Sequence, residues 1–95
     1  MAKKPELNPK INKQNFKHVA GKCRLCGQGP YEILHVHRIH PGRDGGEYTQ
    51  LNSVPLCANC HALVETGSIA IHAWLSSTKG SVLHITDENG DEQFV

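Results

Sequence analysis

The chain has 95 residues, a formal net charge of +1 at pH 7 and an aromatic content of only 5%. A chain this short makes one small domain that buries only about 60–65% of its unfolded surface, so its core is marginal and needs a disulfide set or a metal as a staple. No apolar run of signal-peptide or membrane-spanning length is present, so a reducing, cytoplasmic setting with no membrane partner is expected, where disulfides rarely persist.

Charge is unevenly spread. Lys3, Lys4, Lys10, Lys13, Lys17 and Lys22 face only Glu6 in the first 22 residues, whereas Asp87, Glu88, Asp91 and Glu92 cluster near the other end. With Pro5, Pro9 and scattered apolar residues, 1–20 reads as a basic, flexible arm with at most a short turn of structure around Phe16. Such an arm suits phosphate contacts, with Lys3, Lys4, Lys10 and Lys13 as candidates, and equally suits a solubilising tail.

Cys23-x2-Cys26 is followed, 30 residues later, by Cys57-x2-Cys60. Two such knuckles read as a four-thiolate structural Zn2+ site. Between them, Tyr31 to His40 reads as an extended run stopped by Pro41-Gly42. Period-two alternation puts His35, His37 and Ile39 on one side, and Leu34, Val36, Arg38 and His40 on the other. Neither side is purely apolar, so the polar groups need a reason other than packing. Pro41 to Gly46 is a turn-rich loop, and Glu47 to Gln50 a brief extended segment. A helix is expected from near Cys60 to a stop at Gly67, with His61 and Glu65 four apart on one face. Residues 68–75 fit strand or helix equally. Ser81–Thr86 and Glu92–Val95 read as a hairpin turning at Asn89-Gly90. His18, His72 and His84 read as exposed side chains rather than ligands.

Hydrolysing a phosphodiester needs an activated water, neutralised phosphate charge and help for the leaving oxygen. One divalent metal supplies the last two, and a histidine acting as general base supplies the first. A two-stranded ribbon facing a helix is an economical scaffold for it: here His37 comes from the ribbon, and His61 and Glu65 from the helix.

From Cys23 to about Gly67 the chain resembles the HNH, or ββα-metal, endonucleases in their four-cysteine form. The matching residues are Cys23, Cys26, His37, Ile39, Pro41, Gly45, Gly46, Asn52, Leu56, Cys57, Cys60 and His61. The resemblance implies a small α+β zinc-stabilised domain with a ββα-metal (His-Me finger) core over 21–67 and an extra C-terminal β-hairpin within 68–95. It implies a DNA endonuclease with His37, His61 and Glu65 on a catalytic Mg2+ or similar divalent ion, structural zinc on the four cysteines, and Asn52 holding the loop and orienting the base. No small-molecule cofactor is implied. Glu65 stands where other members carry a second helical histidine, and a carboxylate suits a hard cation.

One position departs from the family pattern. The family's general base directly follows the strand ligand, and here that residue is Arg38, whose guanidinium stays protonated. It suits phosphate clamping or charge stabilisation instead. Either His40 is the base, or His35 and His37 divide the ligand and base roles in a shifted register, or the site is catalytically weak. The alternative to a nuclease is therefore an inactive zinc-stabilised nucleic-acid-binding module, and a third reading is a zinc-bound protein-interaction domain. DNA is the expected partner, with low or short-site specificity unless a homodimer or a larger phage or host assembly adds contacts.

Overall fold

The computed structural model describes residues 9–78 and 80–95. Helix α1 (Lys13–Ala20) opens on Asn12, whose side-chain oxygen accepts the Asn15 N–H at 3.0 Å. It closes on Gly21 in the left-handed region, φ 70°, where the glycine N–H reaches the Lys17 carbonyl. No residue of α1 is buried. Its place is set by the preceding residues: the Ile11 N–H donates to the Tyr48 carbonyl at 3.0 Å and the Gln50 N–H to the Pro9 carbonyl at 2.9 Å. The flexible arm expected over 1–20 is thus helical over its last eight residues, because a capped segment is stitched by backbone bonds to the loop after Gly46. Lys3 and Lys4, expected to contact phosphate, lie outside the described residues.

Strands β1 (Leu34–Arg38) and β2 (Ser53–Cys57) pair antiparallel, with His35 opposite Leu56, His37 opposite Val54 and Arg38 opposite Ser53. Single 3-10 turns precede both strands, so the extended run expected from Tyr31 begins only at Leu34. All five residues of β2 are buried. Pro55 is tolerated there because each strand of a two-stranded ribbon has a free edge, and its carbonyl accepts the Arg24 N–H of the first knuckle at 2.9 Å.

Helix α2 (Ala58–Glu65) follows β2 without a loop. It starts two residues before Cys60 because the Cys57 sulfur caps it, accepting the Cys60 N–H at 3.5 Å.

The segment left open between strand and helix is strand β3 (Ala70–Ser77), which pairs with β4 (Gly80–Thr86) with a bulge between Ile71 and Ala73. Strand β5 (Glu92–Phe94) pairs with β4, so the C-terminal hairpin is the outer part of a three-stranded antiparallel sheet. Its turn is organised by Asp87, whose carboxylate accepts the N–H groups of Asn89 and Asp91.

The result is a small α+β fold with two helices and two sheets. Its core joins Leu34, Val54, Leu56, Ile69, Leu83 and Ile85 to Cys23, Cys57 and Cys60. Three of these nine core residues are cysteines, so the sulfur cluster is part of the interior. The C-terminal sheet is tied to β2 by Trp74, whose indole N–H donates to the Ser53 carbonyl at 2.9 Å. It is tied to the first knuckle by Arg24, whose guanidinium donates to the carbonyls of Ser81 and Val95.

Candidate metal centres and the loop between them

The first knuckle is a tight turn, closed by the Gly27 N–H on the Cys23 carbonyl and the Cys23 N–H on the Gln28 carbonyl. The second spans the junction of β2 and α2. Together they bring four sulfurs within 4.8 Å of one another, with Cys26 and Cys57 at 3.5 Å. Cys23, Cys57 and Cys60 are buried and Cys26 is exposed. Burial pushes the Cys23 thiol up, but backbone hydrogen bonds from Cys57, Cys26 and Leu25 bring it down to about 7. Burial first, and then the neighbouring thiols, push Cys60 well above the usual thiol range. Four thiolates at this spacing repel one another and need a cation among them. The donor set fits tetrahedral Zn2+, so the tetrad is a potential zinc site.

A second group lies where β1 faces α2. His37, His61 and Glu65 offer donor atoms that all lie within 4.8 Å of one another. Glu65 Oε1 is 3.1 Å from His61 Nε2 and 3.6 Å from His37 Nδ1. The four-residue spacing on α2 stacks His61 and Glu65 on one face, and the pleat of β1 turns His37 toward them. Burial lowers the His37 pKa and the nearby His61 adds to that, while Glu65 opposes both. The neutral imidazole needed for metal ligation is thereby favoured. Two imidazoles and a carboxylate can hold a divalent cation.

His35 lies on the same side of the ribbon, with its Nδ1 3.0 Å from His61 Nδ1 and the rings edge-on at 5.1 Å. Both nitrogens of His61 are therefore engaged, one by His35 and the other by Glu65.

The loop that follows β1 returns on itself around Asn52. The Asn52 Oδ1 accepts the His40 N–H at 2.7 Å, and its amide donates to the carbonyls of His40 at 3.1 Å and Glu47 at 2.8 Å. Gly46 admits no side chain, since a Cβ there would sit 1.7 Å from the His40 carbonyl oxygen. Gly45, at φ 89°, supplies the left-handed turn before it. His40 Nε2 lies 2.6 Å from the Asp44 carbonyl oxygen. A carbonyl only accepts, so Nε2 carries a proton, and in the neutral form of the ring Nδ1 is the acceptor.

Arg38 is not in the His37 group. Its guanidinium lies 4.4 Å from the centre of the Tyr48 ring and packs against Gly42. Lys13 lies over the same ring at 4.5 Å, and Lys10 pairs with Glu47 at 3.8 Å. Nothing in the sequence marks Tyr48: it belongs to no motif, and only the bridge between residues 9–11 and 48–50 brings Lys13 to it.

Among the described residues no helix is long and apolar enough to cross a membrane. No curated protein and no solved structure matches the chain. A family model described as HNH endonuclease matches residues 23–66, the span that holds both knuckles, His37, Asn52, His61 and Glu65. Residues 23–66 are thus similar to the HNH endonucleases, and their four cysteines lie close together, consistent with a zinc-knuckle form.

Proposed function

We propose that the protein is an HNH-type DNA endonuclease that hydrolyses phosphodiester bonds with one divalent ion held by His37, His61 and Glu65. In this reading the four cysteines hold a structural zinc that takes no part in the chemistry. The observation that carries it is the convergence of two imidazoles and a carboxylate, from a strand and a facing helix, with donor atoms within 4.8 Å. When bound, Mg2+ or a similar ion would supply charge neutralisation at the phosphate and at the departing oxygen.

His40 is the proposed general base. The Asp44 carbonyl holds the proton on Nε2, leaving Nδ1 to take one from the attacking water. Asn52 supports this by gripping both the N–H and the carbonyl of His40. His35, bonded to His61, orients that ligand. Attack by water forms the new phosphorus–oxygen bond as the bond to the 3′ oxygen breaks, giving 5′-phosphate and 3′-hydroxyl ends. Lys3, Lys4, Lys10 and Lys13 add phosphate contacts of no sequence preference. Residues 21–67 would form the catalytic ββα-metal unit, with the C-terminal sheet as its brace.

A second reading rests on one observation, that Arg38 occupies the position next to His37 where the base is usual. It makes the chain a nucleic-acid-binding module without catalysis. Supercoiled plasmid incubated with Mg2+ or Mn2+ separates the two. Nicking by the parent that His61→Ala abolishes supports the nuclease. DNA binding with no metal-dependent nicking supports the binding module. Absence of both activities overturns both readings and favours a protein-interaction domain.

A further inference from the structure

The pair of cations on Tyr48 is not accounted for by the metal centres. Lys13 begins α1 and Arg38 ends β1, yet both lie over one ring, at 4.5 and 4.4 Å from its centre. Among the described residues, no carboxylate pairs with either one. Glu47, next to Tyr48 in the chain, is paired with Lys10. Two like charges gathered without a counter-ion repel each other, and the ring's negative face offsets only part of that cost. The gathering is also built. Backbone bonds from Ile11 to Tyr48 and from Gln50 to Pro9 bring Lys13 into place. Gly42 leaves the room that the guanidinium occupies, since a Cβ there would lie 2.5 Å from an Arg38 terminal nitrogen. A guanidinium has five N–H donors, and those not turned to the ring remain for an anion.

We propose that Tyr48 is a positioning residue that holds Lys13 and Arg38 at one ring as a two-cation subsite for nucleic-acid backbone phosphates, which makes α1 part of the nucleic-acid-binding surface. The subsite is separate from the His37, His61 and Glu65 group. The inference rests on the nucleic-acid reading above and does not depend on catalysis.

The test measures binding of zinc-loaded protein to a 20-base-pair DNA duplex, without added Mg2+, over a range of salt concentrations. Each phosphate contact contributes about 0.9 to the slope of log affinity against log salt. Loss of both cations from the subsite should therefore make the slope shallower by about 1–2. Over a fourfold rise in salt, such a variant would lose about tenfold less affinity than the parent. Tyr48→Leu and the double variant Lys13→Met with Arg38→Met should both show this change, and combining them should add nothing. Tyr48→Phe keeps the ring and should keep the parent slope. Gly42→Ala removes no charge and asks only a small shift of the flexible guanidinium, so it should keep close to the parent slope.

A folded Tyr48→Leu with the parent slope overturns the proposal. So does a further loss when Tyr48→Leu is added to the double variant. If Tyr48→Leu does not fold, the double variant decides, and a parent-like slope in it overturns the proposal. A parent that fails to bind the duplex overturns the nucleic-acid reading itself, whereas binding with unchanged slopes overturns only the subsite.

Discussion

Replacing Asn52 tests whether its side chain is a structural clasp or only a turn-former. Three hydrogen bonds, at 2.7, 3.1 and 2.8 Å, run from this one amide to the backbone of His40 and Glu47. A net value of about 0.5–1.5 kcal/mol each, reduced where water can enter, gives roughly 2–3 kcal/mol for Asn52→Ala. In a domain of this size that lowers Tm by about 10–20 °C. Asn52→Asp is the more discriminating change. Aspartate keeps an acceptor for the His40 N–H but turns its second oxygen toward two carbonyls that need a donor. It should therefore cost at least as much as alanine. Thermal or denaturant melts at fixed free zinc measure both variants. A turn-former would be replaced by aspartate at little cost, so an Asn52→Asp protein within about 0.5 kcal/mol of the parent would refute the clasp.

Three further outcomes follow from the interior and the metal groups. Cys57→Ser keeps a side chain able to cap α2 but not a thiolate, so it should lose zinc and cooperative melting together; circular dichroism with zinc titration checks this, and a folded, zinc-free variant would overturn the tetrad assignment. Ser53 is fully buried, and among the described residues its hydroxyl has no hydrogen-bond partner; Ser53→Ala should therefore raise stability by about 1 kcal/mol, read from denaturant midpoints. The pKa of His37 is lowered from 6.5 on folding, so the unfolded chain binds the proton more readily. Its contribution to stability is present above pH 6.5 and is lost as pH falls through the folded value; the stability difference between the parent and His37→Gln should shrink over that fall, and a constant difference would contradict the burial argument.

Local chemistry made much of the candidate site legible. The paired Cys-x2-Cys spacings foretell the sulfur cluster, because four thiols in two tight turns have few other uses in so small a core. Helical spacing joins His61 to Glu65, and strand alternation puts His35 and His37 on one side. The same alternation places Arg38 opposite them. Asn89-Gly90 marks the C-terminal turn. Less legible were the ends of elements. Helix α2 begins at Ala58 because a cysteine sulfur acts as its cap. Strand β3 could not be told from helix, because Ala70 to Leu75 mixes apolar residues with a bulge that breaks the alternation.

The sequence by itself determined, through short-range periodicity, which residues could share a face: His61 with Glu65 on α2, and His35 with His37 on β1. What only the tertiary structure decided are the pairings across the fold. These are His35 on His61, the Asp44 carbonyl that sets the His40 tautomer, and Arg24 and Trp74 tying the C-terminal sheet to the knuckle and β2. Tyr48 is the plainest case. The residues over it are 35 and 10 positions away in the chain, and no local propensity records a contact that a backbone bridge and the room at Gly42 create together.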